Sequence, residues 1–86
     1  MRADEVIRYP MMTEKAIDFI ERENKLVFIV NLKANKRDII RAVKELYEVD
    51  VKEVKTLITP RGFKKAYIKL YPEHDASDLA IRLGIL

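Results

Sequence analysis

The run from Lys55 to Tyr71, K-T-L-I-T-P-R-G-F-K-K-A-Y-I-K-L-Y, constrains the fold more than any other stretch, because it reads as two strands joined by a tight turn. In Thr59-Pro60-Arg61-Gly62, proline pre-sets φ at the second position and glycine tolerates the backbone that follows. Beyond the turn, Lys65 to Tyr71 alternates with period two. Ala66, Ile68 and Leu70 share one face, while Lys65, Tyr67, Lys69 and Tyr71 share the other. The first face requires a core. The second sets cations between aromatic rings and, with Arg61, Lys64 and Lys65 at the turn, offers a surface for phosphates and unstacked bases. Lysines also keep exposed edge strands from aggregating, so the hairpin alone does not choose between the two roles.

The rest of the chain supplies partners for the apolar face. Val6 to Tyr9 reads as a short strand stopped by Pro10, which disfavours helix in the residue before it. Thr13 is a helix N-cap with Glu14 in the first turn. Ala16, Ile17 and Ile20 form the apolar stripe of a helix ending near Glu23-Asn24. Lys25 to Leu32 is apolar in both phases, as a central strand would be, and such a strand implies that both sheet faces are partly covered, the second by the last helix. Asn35, with Asp38 three residues on, starts a second helix that runs to about Glu48. Its buried side is expected to be Ile39, Val43 and Leu46, flanked by Ile40 and Tyr47, and Arg37, Arg41 and Lys44 line the outer side. Val51 to Thr59 is the first strand of the hairpin, with Val54, Thr56 and Ile58 in one phase. Pro72 closes the second strand, Asp75 caps a last helix with Ala76, Leu79, Ala80 and Leu83 on its apolar side, and Gly84 ends it. The order is β-α-β-α-β-β-α, which predicts an α+β fold: a four-stranded, mostly antiparallel sheet packed with helices, in one domain spanning residues 1–86.

Charge narrows the function. The net charge is only +3, but five cations stand against one acid from Lys33 to Lys44, and six against one from Lys52 to Lys69. Two basic blocks in an otherwise acidic chain suit a polyanion, and nucleic acid is the expected partner. The chain has no cysteine, which excludes disulfides, thiolate metal sites and thiol catalysis together. No apolar run is long enough to span a bilayer and no leader is visible, so a cytoplasmic protein is expected.

Catalytic chemistry finds few residues. The single histidine, His74, sits between Glu73 and Asp75 in a turn without a metal-site pattern, and Ser77, the single serine, stands at a helix start. Only Gly62 and Gly84 are glycines, so no phosphate-binding glycine loop exists. The expectation is a protein with no cofactor, no metal and no enzymatic activity. Around Lys33, Asn35, Lys36 and Arg37 the cations coincide with the free N–H groups of a helix start, which also favour an anion.

Four runs, in order and at their spacing, carry a resemblance that covers about Val6 to Leu86: P-x-x-T-E-K-A (Pro10 to Ala16), K-A-N-K-R-D-I (Lys33 to Ile39), T-L-I-T-P-R-G (Thr56 to Gly62) and K-K-A-Y-I-K-L-Y (Lys64 to Tyr71). They resemble the universal large-subunit ribosomal protein family number twenty-three, in its compact archaeal-type form. The resemblance implies a structural constituent of the large ribosomal subunit that binds large-subunit rRNA near the exit of the peptide tunnel. By motif it implies RNA contacts at Lys33, Asn35, Lys36, Arg37, Lys55, Thr56, Arg61, Lys64 and Lys65, with Arg8 and Lys15 added by charge and position; the ring-bearing strand face itself adds Tyr67 as a stacking residue. The resemblance also implies that Glu14 lies where exit-site factors dock, such as the signal recognition particle, beside neighbouring ribosomal proteins. Bacterial members carry a long extension between the last two strands. Here the connection is only T-P-R-G-F-K, so no tunnel-lining arm is expected.

Two other readings stay open on the residues. R-G-F at Arg61 to Phe63 suggests a free single-stranded RNA regulator of the RNA-recognition type, although Lys64 and Lys65 interrupt the ring-bearing strand which that module needs. A small α+β enzyme holding an acyl phosphate in an arginine cradle would need Arg37 or Arg61, but no positioned acid or nucleophile accompanies them.

Overall fold

Capping chemistry places the helices. In the computed structural model, which describes residues 1–86, the elements run α1 (Ala3–Val6), β1 (Ile7–Pro10), α2 (Glu14–Glu23), β2 (Lys25–Val30), α3 (Lys36–Tyr47), β3 (Val51–Ile58), β4 (Lys64–Leu70) and α4 (Ala76–Arg82). Thr13 Oγ1 accepts the Ala16 N–H at 3.2 Å at the start of α2. Asn35 and Asp38 exchange bonds of 2.8 and 3.0 Å at the start of α3, and Asp75 accepts the Ser77 N–H at 2.8 Å at the start of α4. After α4, Gly84 at φ +77° lets its N–H reach the Ile81 carbonyl and the Ile85 N–H reach that of Ala80, which closes the helix with two of its orphan acceptors satisfied.

Several boundaries differ from the sequence expectation. Val6 ends the short helix α1 instead of starting a strand. One helical turn has no periodic stripe to reveal it; Arg2 bonds Asp4 and Glu5 at its start, and buried Ala3 and Val6 anchor it in the core. The second strand stops at Val30, because Asn31 Oδ1 accepts the Lys33 N–H at 2.9 Å and turns the chain, leaving Leu32 exposed. On α3 the buried stripe is Ile39, Ala42 and Val43, with Tyr47 half-buried. Ile40 and Leu46 lie on its shoulders, exposed at 40% and 41%.

The sheet order is β1-β2-β4-β3, antiparallel throughout, so the lysine-rich β4 lies inside the sheet and guards no edge. Register assigns the faces. Leu26, Phe28 and Val30 align with Ile68, Ala66 and Lys64, and Val54, Thr56 and Ile58 continue that face across β4. Here the main core forms, 20 buried residues that include Ala3 and Val6 of α1, Ile39, Ala42 and Val43 of α3, and Ala76, Leu79 and Ala80 of α4. The last helix therefore joins this face, contrary to the sequence expectation that it would cover the second one. Val27 and Ile29 of the second face are nevertheless buried. The explanation lies in α2, which follows β1 and flanks β2 where the β1 pairing gives out: the Met11 N–H donates to the Val27 carbonyl at 2.8 Å. From there Ile20 enters the main core, while Phe19 meets Tyr67 edge-on over the other face, with ring centroids 5.7 Å apart.

Two polar ties close the end of the sheet opposite the hairpin turn. Asn24, left-handed at φ 55°, ends α2, and its Nδ2 donates to the carbonyls of His74 (2.9 Å), Leu70 (3.4 Å) and Tyr71 (3.4 Å) while Oδ1 accepts the Ala76 N–H at 2.8 Å. Asp50 holds Lys44 at 3.1 Å and His74 at 3.3 Å, so the histidine pairs across the fold rather than with the acids beside it in sequence. Hydrogen bonds from Lys44 and then His74 hold the Asp50 carboxyl below its ordinary range. A carboxyl whose pKa is lower folded than unfolded adds stability above its unfolded value, 3.8, and that stability is lost as pH falls through the folded value. Acid unfolding followed by circular dichroism should therefore be less steep below about pH 4 in Asp50→Asn than in the parent. Superimposable acid limbs would show that the tie contributes nothing.

Candidate nucleic-acid interface

The hairpin tip is shaped by its own residues. The Gly62 N–H donates to the Thr59 carbonyl at 2.9 Å and Arg61 keeps a negative φ, so Thr59 to Gly62 form a type I turn with Pro60 in second place. Gly62 then takes φ +87°, and Thr59 closes on Phe63 through the Thr59 N–H to the Phe63 carbonyl (2.7 Å) and the Phe63 N–H to Thr59 Oγ1 (3.1 Å). This three-residue loop leaves Arg61 exposed at the tip and Phe63 half out of the surface.

Antiparallel pairing carries the tip to the end of the sheet where β2 finishes and β1 begins, since Lys64 opposes Val30 and Ile7 opposes the same residue from the other side. The Lys64 ammonium then donates to the Ala34 carbonyl at 2.6 Å. That bond joins the hairpin to the turn before α3, so the two basic blocks, far apart in sequence, are neighbours in the fold. Arg8, Lys33 and Lys64 share a groove of about 370 Å³ with Tyr9 and Phe63. Lys36 and Arg37 stand exposed in the adjoining first turn of α3.

The other candidates distribute over two surfaces. Lys55, Lys65 and Tyr67 occupy the open face of the sheet by register, and Lys15 of α2 leans over a small recess beside Lys65 and Tyr67. Thr56 opposes Ala66, which puts it on the helix-covered face and apart from Lys55. Tyr71 leaves the strand and lines a groove beside α3, so the alternation of lysine and tyrosine stops at Lys69. Asn35 spends its side-chain oxygen on the helix cap. The carboxylate of Asp38 accepts the Asn35 N–H in return, so the cap uses two of the N–H groups at the start of α3, those of Asn35 and Asp38. Glu14 is exposed in the first turn of α2, next to Lys15.

Most of these cations are free of ion pairs, as are Arg41, Lys52, Lys69 and Arg82 outside the candidate set. Ion pairs hold Arg2, Arg22, Lys25 and Lys44, whereas among the candidates only Lys55 approaches a carboxylate, Glu53 at 4.0 Å. That exposed pair is worth at most about 1 kcal/mol. Arg8, Lys15, Lys33, Lys36, Arg37, Arg61 and Lys65 make no such pair. Sequence reasoning missed Tyr9 as part of this surface and gave Phe63 only as part of R-G-F. The two rings meet the cations through β1–β2 and β2–β4 pairing, which no local pattern encodes.

Residues 5–69 match the family described as Ribosomal protein L23, a stretch that runs from α1 to β4 and stops short of α4. The large ribosomal subunit protein uL23 of Methanococcus aeolicus is 55% identical over 85 residues, which cover 99% of each chain and so include α4 as well. The family is one of ribosomal proteins, not of enzymes. On these matches, and with a four-stranded antiparallel sheet under its helices, the chain belongs to the ribosomal protein L23 family.

Proposed function

We propose that this chain is a structural, non-catalytic component of the large ribosomal subunit. It binds folded large-subunit rRNA through the cationic end of its sheet, beside the exit of the peptide tunnel. The observation that carries the reading is the Lys64–Ala34 bond, which fixes two basic blocks into one surface where Lys33, Lys36, Arg37, Arg61 and Lys65 form no ion pair. Family membership supports the ribosomal setting and the place near the tunnel exit. Exposed Glu14 is then available to nascent-chain factors such as the signal recognition particle, at the rim and not inside the tunnel, because the Pro60–Gly62 loop is too short to form an arm. No helix is long and apolar enough to cross a membrane.

The test replaces Lys33, Arg61 and Lys65 by alanine together and spares Lys64, whose ammonium holds the fold. Binding to a large-subunit rRNA transcript, followed across salt concentrations, should weaken. The slope of log affinity against log salt should become shallower by about 2–3, the loss of three phosphate contacts. Circular dichroism melts should stay near the parent's. Unchanged affinity in the triple variant would remove this surface from RNA recognition, and tighter binding to unstructured oligonucleotides than to the folded transcript would favour a free single-stranded RNA regulator.

A further inference from the structure

Three sizeable grooves open on the surface, and their charges differ. The groove between α3 and the start of β3 sets Glu45, Asp50 and Glu73 against Arg41 and Lys44, and the one below the end of α2 balances Glu21, Glu23 and Asp75 with Arg22, Lys52 and Lys69. The third, at the cationic end of the sheet, contains Arg8, Lys33 and Lys64 with no carboxylate at all. It also holds two aromatic rings that nothing in the fold covers, Tyr9 at 47% and Phe63 at 49% exposure. Its volume of about 370 Å³ is that of a small-ligand site. By contrast, the recess between Lys15 and Tyr67, about 40 Å³, is little larger than the share of one water molecule, about 30 Å³.

Rings beside cations in a groove without acids describe the two halves of a nucleotide. A base that leaves its stack finds an equivalent surface on an aromatic side chain, and its phosphates find the guanidinium and ammonium groups. We propose that this groove receives a single unstacked nucleotide of the bound RNA, its base against Tyr9 and Phe63 and its flanking phosphates on Arg8 and Lys33. The inference rests on the RNA-binding reading and adds to it a specific occupant and two residues with no charge. The one amide in the wall, Asn31, uses its oxygen on the Lys33 N–H and its NH2 group on the Glu5 carbonyl at 3.4 Å. The groove therefore selects a base that is out of its stack more than it selects which base.

The chain has no tryptophan, so Phe63→Trp introduces a single reporter indole at the groove. Titration of that variant with a large-subunit rRNA transcript should quench the indole emission as a base stacks on it. Phe63→Ala and Tyr9→Ala should each lower affinity on the order of tenfold, with the salt slope unchanged because no phosphate contact is lost. Arg8→Ala should instead reduce that slope by about 0.7–0.9. Phe63→Leu keeps apolar bulk without a π face and should bind as poorly as Phe63→Ala. Parent-like affinity in both alanine variants, with no quenching, would overturn the nucleotide site and leave the RNA-binding reading standing. Full rescue by Phe63→Leu would also overturn it, in favour of an apolar protein contact. If the parent itself fails to bind the transcript, both readings fall.

Discussion

Phe28→Ala should cost about 3–5 kcal/mol of folding stability, the range for removing a buried aromatic side chain and leaving its space unfilled. Phe28 is fully buried at the middle of β2, opposite Ala66 of β4, and its ring lies nearly parallel to that of Tyr47 with centroids 5.9 Å apart. It thus ties the sheet to the far end of α3 through Tyr47, and the small Ala66 opposite cannot fill the gap. A domain of this length has roughly 4–13 kcal/mol in all, so the loss is a large part of the total. In urea the midpoint should fall with little change of slope. Leu57→Ala is the control, because Leu57 is 54% exposed on the open face and should change stability by less than about 0.5 kcal/mol. Equal losses in the two variants would mean that the core is not centred on Phe28.

Asn24→Ala should be the next most costly, at about 2–4 kcal/mol. Two terms contribute. The left-handed backbone is tolerated by asparagine better than by alanine, by about 1 kcal/mol, and the two short side-chain bonds, to the His74 carbonyl and from the Ala76 N–H, are each worth about 0.5–1.5 kcal/mol. Asn24→Gly separates the terms, since glycine accepts the backbone but makes none of the bonds. The glycine variant should sit about 1 kcal/mol above the alanine variant and clearly below the parent. If glycine restores parental stability, the hydrogen bonds between α2, β4 and α4 hold nothing together; if the two variants melt alike, the backbone conformation is not under strain.

What could be read in the sequence was what is encoded locally. Thr13, Asn35 and Asp75 announce their helices because a cap reaches only two or three residues along the chain, and the β3–β4 hairpin is visible because its turn sits between its strands. The place of β4 was not readable: pairing with β3 is local, but pairing with β2 spans α3 and β3, and the two-phase apolar pattern of β2 shows only that it is covered. The same limit divides the candidate interface. Charge blocks located the cations. Cross-strand register decided that Thr56 turns toward the helices while Lys55 does not, and that Tyr9 meets Phe63's neighbourhood. Asn24 illustrates a third case, a residue that looked like an ordinary helix end and carries the tie between three elements.

The position of β4 between β2 and β3 also sets an order of events in time. During synthesis the chain emerges with β1 and β2 available long before β4, and β3, which comes just before it, has no bonds to make with β2. Until Lys64 to Leu70 exist, one edge of β2 stays bare, and Leu26, Phe28 and Val30 have only the short β1 beside them. Closing the loop from Lys25 to Lys69 is then the non-local, entropically costly step that completes the sheet. The insertion of one strand makes the domain close to all-or-none: the last third of the chain must arrive before the first third can be buried.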